Sequence, residues 1–146
     1  MRSERLFNET CLLFHALRAW AETLHEELGL TAAMRGVLER ILLDGPATVP
    51  DLARARGVSR QHIQQQVDPL LKRGFIERKD NPAHKRSSII GLTDKGRALI
   101  QNMRAEELST LGRMQVGVSD DAMLEAAQVL AAWRAALQRD TTRRTQ

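Results

Sequence analysis

The chain has 146 residues and a net charge of +4, and its isoelectric point is near 10.0. The length fits one domain with a real hydrophobic core, and a content of 42% hydrophobic and 27% charged residues excludes a wholly disordered chain. The single cysteine cannot form an internal disulfide, and no apolar run reaches the roughly 18 residues that cross a bilayer. We therefore expect a cytoplasmic protein without a membrane partner.

Helical periodicity covers most of the chain. Apolar residues spaced by three and four predict a long amphipathic helix over residues 5–29, which Gly29 terminates. Five further helices are predicted from a capping residue followed by apolar residues at helical spacing, and these caps are Thr31, Thr48, Ser59, Thr93-Asp94 and Ser119. Stop signals separate the helices at Asp44-Gly45-Pro46, Gly57, Gly74 and Gly117 to Asp121.

Two short strands are predicted after the fourth helix. The period changes there from helical to alternating, which indicates strands at Phe75 to Lys79 and at Ser87 to Leu92. The residues between them, Asp80 to Arg86, are turn formers that end in a basic pair, so we expect a projecting hairpin loop. The polar tail Asp140 to Gln146 is predicted to be disordered.

The basic charge is concentrated in the middle of the chain. Residues 51–97 carry 11 basic and 5 acidic side chains, whereas residues 1–50 carry 5 and 7 and residues 98–146 carry 6 and 6. A positive block of this kind is what a phosphate-binding surface needs. A solvated face of lysine and arginine is the alternative explanation for the charge alone.

Residues 48–74 have the pattern of a helix-turn-helix. Such a motif needs a small residue where its helices cross, a residue that tolerates positive φ in the turn, and inward apolar side chains. Ala53, Gly57, Val58 and Ile63 meet these needs, although any tight helical hairpin has similar requirements.

The fourth helix adds a polar face that favours DNA binding. Gln61, Gln65 and Lys72 lie opposite its apolar side, with His62 beside them. Glutamine pairs with adenine edges, and the N-terminal residues of such a helix reach bases in the major groove. Flanking arginines can hold phosphates. The predicted DNA-binding residues of this motif are Arg54, Arg56, Ser59, Arg60, Gln61, His62, Gln65 and Lys72.

The hairpin loop is the second predicted DNA contact. Its tip carries His84, Lys85 and Arg86, whose cationic side chains can follow the phosphate backbone or enter a narrow minor groove. The alternative is an ordinary polar loop.

These residues carry a family resemblance. The segments Val67 to Arg78, Asn81 to Arg86 and Leu92 to Gly96 resemble the winged helix-turn-helix of MarR-type transcriptional regulators. The resemblance extends over the whole chain, because the first and last two helices match the family's dimerisation region. It implies a homodimer that binds a pseudo-palindromic operator on double-stranded DNA, usually as a repressor. It also implies sensing of a small-molecule effector or an oxidant near the junction of the lobes.

The expected fold is therefore mainly α, a winged helix-turn-helix with a small β-hairpin wing and a helical dimerisation region. Residues 31–97 are the expected DNA-binding lobe, and residues 1–30 and 98–139 are the expected dimerisation region, formed by the N- and C-terminal helices. The first and last helices carry apolar stripes too far from the middle lobe to be covered by it. These stripes are an independent reason to expect a dimer.

Two residues depart from the family pattern. His84 stands where the family usually has an aspartate that orients the wing arginine, so we expect a looser wing or a pH-dependent grip. Pro69 lies inside the fourth helix, where it removes one backbone hydrogen bond. The apolar pattern continues past Pro69, so the helix is expected to continue as well.

Candidates for effector sensing lie on the first two helices. Cys11 resembles in position the peroxide-sensing cysteine of the family's organic-hydroperoxide branch, where tyrosines help to activate the thiol. This chain has no tyrosine, and a lone cysteine among apolar residues is most often a small buried hydrophobe. The candidate effector-binding residues are Cys11, His15, Arg18, Trp20 and Met34, for which core and surface roles are the alternative.

Nothing in the sequence supports catalysis. The four histidines lack metal-ligand spacing, and there is no glycine-rich phosphate loop or serine nucleophile elbow. We expect neither an enzyme nor a metal site, and no cofactor. Two alternatives to an effector-controlled regulator stay open, namely a thiol-based peroxide sensor that uses Cys11 and a helical protein–protein adaptor that does not bind DNA.

Overall fold

Helices and one small sheet make up the part of the chain that the structure describes, residues 2–144 of a computed structural model. The helices are α1 (Arg2–Leu24), α2 (Ala32–Asp44), α3 (Val49–Arg56), α4 (Arg60–Lys72), α5 (Asp94–Arg113) and α6 (Asp120–Arg144). The strands are β1 (Ala47–Thr48), β2 (Ile76–Lys79) and β3 (Ile89–Leu92). The predicted fold class, mainly α with a small hairpin, is confirmed. Within the described residues, no helix is both long and apolar enough to span a membrane.

The chain divides into two compact units, residues 1–112 and residues 113–146. The hydrophobic core lies in the first unit and comes from α2 to α5 and the strands. Its buried side chains are Met34, Val37, Leu38, Ile41, Leu52, Ala53, Ile63, Val67, Leu70, Phe75, Ile76, Ile90, Ile100 and Met103. The helical spacing of these residues in α2 and α4 turns one face of each helix inward, as predicted.

Side-chain hydroxyls mark the start of α2 to α6, at the predicted caps. The oxygens of Thr31, Thr48, Ser59, Thr93 and Ser119 each accept a hydrogen bond from a backbone N–H in the first turn, at 3.0–3.3 Å. Each such bond satisfies a backbone donor that has no partner within the helix, which stabilises a helix by about 1 kcal/mol.

The sheet has the strand order β1-β3-β2, and both pairings are antiparallel. β2 and β3 form the predicted hairpin, with Ile76 opposite Leu92 and Lys79 opposite Ile89. β1 was not predicted from the sequence, because two residues are too few to give an alternating pattern. β1 ties the loop before α3 to the hairpin.

The C-terminal end of α4 is anchored by Arg73. Its guanidinium donates to the carbonyls of Leu28 and Gly29, at 2.6 and 3.0 Å, and lies 4.9 Å from the centre of the Phe75 ring. The ammonium of Lys95 approaches the same ring at 4.8 Å. These contacts connect the end of α4 to Leu28 and Gly29, which follow α1, and to α5. As predicted, α4 continues past Pro69.

Two predicted boundaries were wrong. α1 ends at Leu24, and residues Glu26–Leu28 form a separate 3-10 turn that Gly29 closes with φ of 59°. The break comes at His25. Its side chain is buried against α5 and is not on the exposed surface of α1.

The other correction concerns the tail. Residues 140–144, predicted to be disordered, continue α6, where Arg144 pairs with Asp140 at 2.7 Å across one helical turn. Favourable pairs at this spacing stabilise an exposed helix end even without a core. Residues 145 and 146 lie outside the described part of the chain.

Candidate nucleic-acid interface

Two short helices and a tight turn form the motif that the sequence predicts to bind DNA. α3 begins with a capping box, in which the Thr48 hydroxyl accepts from the N–H of Asp51 and the Asp51 carboxylate accepts from the N–H of Thr48. The turn to α4 passes through Gly57, whose φ of 64° lies in the left-handed region that glycine adopts without strain. Val58, expected to point inward, is exposed at this turn.

The two faces of α4 differ as the sequence predicts. Ile63, Val67 and Leu70 are buried in the core. Gln61, Gln65 and Lys72 are exposed on the other side, whereas His62 is half-buried. The hydroxyl of Ser59 is occupied as the N-cap, because it accepts a hydrogen bond from the His62 N–H.

Hydrogen bonds separate the glutamines of α4 into two classes. Gln64 donates to Asp68 at 2.6 Å, and Gln66 donates to the carbonyl of His62 at 3.3 Å. Among the described residues, Gln61 and Gln65 make no side-chain hydrogen bond in the chain itself. Their amide groups are therefore available to base edges.

The arginines around this surface are not equivalent. Arg54 is 78% exposed but forms an ion pair with Asp51. Arg60 is exposed and has no ion pair with any described residue. Arg56 turns toward α2, where its guanidinium packs against Gly36.

The loop of the hairpin consists of two successive turns. Asn81 starts the first, since its side chain accepts from the N–H of Ala83 at 3.1 Å and its carbonyl accepts from the N–H of His84 at 3.2 Å. The carbonyl of His84 then accepts from the N–H of Ser87 at 3.1 Å, which places Lys85 and Arg86 at the tip. The side chains at positions 84–86 are exposed and have no partner among the described residues.

A cavity of about 650 Å³ opens behind the motif, within the first compact unit. Its wall comes from α1, α2 and α5 and from the helix-turn-helix residues Arg56 and His62. The volume is in the range of pockets that bind small molecules. The apolar part of the wall includes Phe14, Leu17, Trp20, Ala21, Leu30, Ala32, Ala33, Met103 and Leu111.

Of the five predicted effector residues, the structure brings Arg18 and Trp20 to this cavity. Met34 is buried in the core, and Cys11 and His15 are exposed on α1 outside the cavity wall. The ring of His15 packs edge-on against Phe14, with 5.6 Å between the ring centres.

An ion network in the cavity wall was not predicted from the sequence. The Arg35 guanidinium binds Glu107 and also Glu39, the latter at 2.8 Å, and the Nε2 atom of His25 lies 2.9 Å from the Glu107 carboxylate. A second carboxylate, that of Glu106, is 3.6 Å from Nδ1 of His25. The i,i+4 spacing of the Arg35–Glu39 pair is visible in the sequence, but the contacts with α5 are not.

Within the described residues, no group of three or more His, Cys, Asp or Glu side chains is arranged to hold a metal ion. The polar groups described above are suited to hydrogen bonding and to charge pairing with phosphates.

Known proteins resemble this chain in sequence. A profile of the MarR family matches residues 28–87. An uncharacterized protein of Mycobacterium tuberculosis is 32% identical over 124 residues, which are 85% of this chain and 85% of that protein.

Two solved structures are similar over nearly the whole chain. The MarR family transcription regulator SP03579 is 28% identical with a TM-score of 0.79, and the match covers 97% of this chain and 95% of that one. Streptococcus pneumoniae FabT in complex with DNA has a TM-score of 0.76 at 15% identity, and the match covers 94% and 98% of the two chains. The second likeness concerns the fold alone.

Proposed function

The chain belongs to the MarR family of transcription regulators, and on that premise we propose that it represses transcription. In this proposal the chain binds a pseudo-palindromic operator as a homodimer, and a small-molecule effector releases it from the operator. The observation that carries this proposal is the exposed face of α4. There Gln61 and Gln65 offer unbonded amides, and Lys72 offers a free cation beside them. Base-edge contacts of this type supply sequence specificity.

The wing supports the same partner. Lys85 and Arg86 have no carboxylate partner within the described chain, so their charge is available to phosphates or to the negative potential of a narrow minor groove. FabT, which shares the fold, was solved with DNA. We therefore assign double-stranded DNA as the partner of α4 and of the wing.

Exposed apolar side chains on α1 and α6 support the homodimer. Leu13 and Leu17 on α1 and Leu130 and Leu137 on α6 are each between 38% and 54% exposed. An exposed apolar face on a helix is costly in water and indicates an interface with a protein partner. A second copy is the simplest occupant, because a two-fold dimer matches the symmetry of a palindromic operator.

The cavity supports control by an effector. Its wall contains His62 from the first turn of α4 and residues of α1, α2 and α5, so a molecule inside it would contact α4 directly. A ligand with different affinities for the DNA-bound and the free conformations shifts the balance between them.

The decisive experiment selects DNA fragments from a random pool with the purified full chain and sequences them. We expect a palindromic site whose two halves lie one helical turn, about 34 Å, or a multiple of it apart. Affinity for this site should fall steeply with salt. No binding to any duplex at low salt would favour the adaptor. Peroxide-driven release that disappears in Cys11→Ser would favour the thiol sensor.

A further inference from the structure

Two basic side chains near the carboxyl end of α4 are bonded to backbone carbonyls of the chain itself. The Arg73 guanidinium donates to the carbonyls of Leu28 and Gly29, at 2.6 and 3.0 Å, at the end of the 3-10 turn that follows α1. The ammonium of Lys95, on α5, donates to the carbonyl of Arg73 at 2.8 Å. Each cation therefore lies at the carboxyl end of another helical segment, where free carbonyls and the helix dipole favour a positive charge.

The same two cations share one aromatic ring. Phe75 is buried, and its ring centre lies 4.9 Å from Cζ of Arg73 and 4.8 Å from Nζ of Lys95. A cation within about 6 Å of a ring centre is attracted by the electrons of the ring face. Both positive charges are thus engaged inside the chain, although both residues belong to the basic block 51–97.

Backbone contacts bring the start of α5 directly against the end of α4. The Thr93 hydroxyl donates to the carbonyl of Gly74 at 2.6 Å, and the Thr93 N–H donates to the carbonyl of Phe75 at 3.1 Å. A Cβ on Gly96 would overlap that Phe75 carbonyl, so a glycine is needed for this close approach. We call Arg73, Phe75, Thr93, Lys95 and Gly96 the α4–α5 joint.

The α4–α5 joint lies at the end of the helix whose exposed residues are expected to meet base edges. In a dimer that reads a palindrome, the separation of the two α4 helices determines which spacing of half-sites fits. The apolar face of α1 belongs to the interface of the proposed homodimer. A bond from Arg73 to the segment after α1 therefore ties the position of α4 to that interface.

We propose that Arg73 and Lys95 are positioning residues for operator binding and not phosphate contacts. They hold the carboxyl end of α4 in place relative to α1 and α5, and they thereby set the half-site spacing that the dimer accepts. The proposal rests on the proposed function, because it takes the homodimer and its palindromic operator as given. It separates these two cations from the other basic residues of block 51–97.

The first test compares the selected operator with versions that have one base pair inserted or removed between the half-sites. Such a change shifts one half-site by about 3.4 Å and turns it by about a tenth of a helical turn. The wild-type chain should bind the altered operators at least about tenfold more weakly, because its two α4 helices cannot reach both half-sites together. In Arg73→Gln and in Lys95→Met this preference should fall to within about threefold, because each variant loses charge-assisted hydrogen bonds of the joint.

Two further variants serve as controls. Arg73→Lys keeps a cation that can donate to one of the two carbonyls, so its spacing preference should lie between those of the wild type and Arg73→Gln. Arg97→Met removes an exposed cation of α5 close to the joint, and Arg97 has no side-chain partner among the described residues. This variant should keep the spacing preference of the wild type.

The salt dependence of binding distinguishes positioning from phosphate contact. On random-sequence duplex, Arg73→Gln should leave the slope of log affinity against log salt unchanged, whereas loss of a phosphate contact in each protomer would lower it by about 1.8. A lowered slope would overturn the proposal. A spacing preference that Arg73→Gln and Lys95→Met both retain in full would overturn it as well.

Hydrogen exchange measures the joint without DNA. The N–H groups of Gly74 and Phe75 donate to the carbonyls of Leu71 and Leu70, each at 3.0 Å. In Arg73→Gln and Lys95→Met both amide hydrogens should exchange about tenfold faster, while those in the middle of α2 keep their rates. Unchanged exchange at both positions would refute the holding role of the two cations. A wild-type chain that selects no palindrome would refute the proposed function, and the exchange rates would still decide whether the cations hold α4.

Discussion

At the scale of single residues, Glu107 connects three helical segments through its charge. It accepts from Arg35 on α2 and lies against His25 after α1, while it belongs to α5. Burial opposes the charge of Arg35, but hydrogen bonds to Glu107 and Glu39 outweigh it and raise the pKa of Arg35 above its usual value. The charged guanidinium is therefore stabilised by these two carboxylates.

Glu107→Ala should lower the free energy of unfolding by about 2–3 kcal/mol, because it removes one acceptor from each of Arg35 and His25, whose side chains are largely buried. Glu106→Ala is the neighbouring control. The side chain of Glu106 is 57% exposed against 13% for Glu107, so its loss should cost less than about 0.5 kcal/mol. Urea unfolding measures both, and equal losses would contradict this role of Glu107.

Asp51 makes the start of α3 sensitive to acid. The Thr48 hydroxyl and then the Arg54 guanidinium lower the pKa of Asp51 below its usual value of 3.8. Because the folded pKa is the lower one, the stabilisation is present above the usual value and is lost as pH falls through the folded value.

Asp51→Asn should therefore be less stable than the wild type near neutral pH, and the difference should shrink as the pH falls below 3.8. Urea midpoints from neutral to acidic pH measure this difference. Asp80→Asn removes a carboxylate that has no partner among the described residues and serves as the control. A difference between wild type and Asp51→Asn that stays constant with pH would rule out this linkage.

At the scale of elements, α4 is expected to read bases with its exposed glutamines. Gln61→Ala and Gln65→Ala should each weaken binding to the selected operator by about 1–3 kcal/mol and affect random DNA much less. Gln64→Ala is the control, because Gln64 is already bonded to Asp68 at 2.6 Å. Fluorescence titrations on both duplexes provide the comparison. Equal losses on operator and random DNA would remove the glutamines from base recognition.

The wing is expected to act through charge. Arg86→Ala should lower the slope of log affinity against log salt by about 1.8 for a dimer, because each protomer loses one phosphate contact. Lys79→Ala on β2 is the control, since Lys79 already pairs with Glu77 at 2.9 Å. Titrations over a range of salt concentrations give the slope. A slope unaffected by Arg86→Ala would exclude the wing from the DNA surface.

Local patterns in the sequence predicted most elements. Caps such as Thr31 and Ser59 act within one helical turn, so the sequence alone locates the helix starts. β1 exists only because Ala47 and Thr48 pair with β3, more than 40 residues later in the chain. His25, where α1 breaks, contacts Glu107 of α5, and no local pattern reveals this contact.

In the candidate site too, local features were predicted from the sequence and long-range contacts were not. The exposure of Gln61, Gln65 and Lys72 follows from helical periodicity and was predicted. The position of Arg56 depends on Gly36, which belongs to a different helix. Sequence proximity placed Arg56 beside Arg54 and Arg60, but the three side chains have different surroundings in the folded chain.

At the scale of the whole molecule, the homodimer is expected to depend on the apolar faces of α1 and α6. Leu13→Glu and Leu130→Glu should each shift the chain toward monomer at micromolar concentration, because a charge would be buried in the interface. Leu43→Glu alters a still more exposed leucine on α2 and should leave the dimer intact. Sedimentation velocity distinguishes these outcomes. A wild-type chain that sediments as a monomer would refute the dimer.

The hydroxyl caps of α2 to α6 determine how acid can act on the whole chain. Serine and threonine oxygens carry no charge in either the folded or the unfolded chain. The hydrogen bonds that these five oxygens accept from backbone N–H groups of the first turn therefore do not require the cap to gain or lose a proton. Acidification therefore acts on carboxylates instead, such as Asp51, which completes the capping box of α3 and whose pKa lies below its usual value. A medium acidic enough to protonate Asp51 in the folded chain, below its usual value of 3.8, should consequently weaken the capping box of α3 while the hydroxyl caps of α2, α4, α5 and α6 persist.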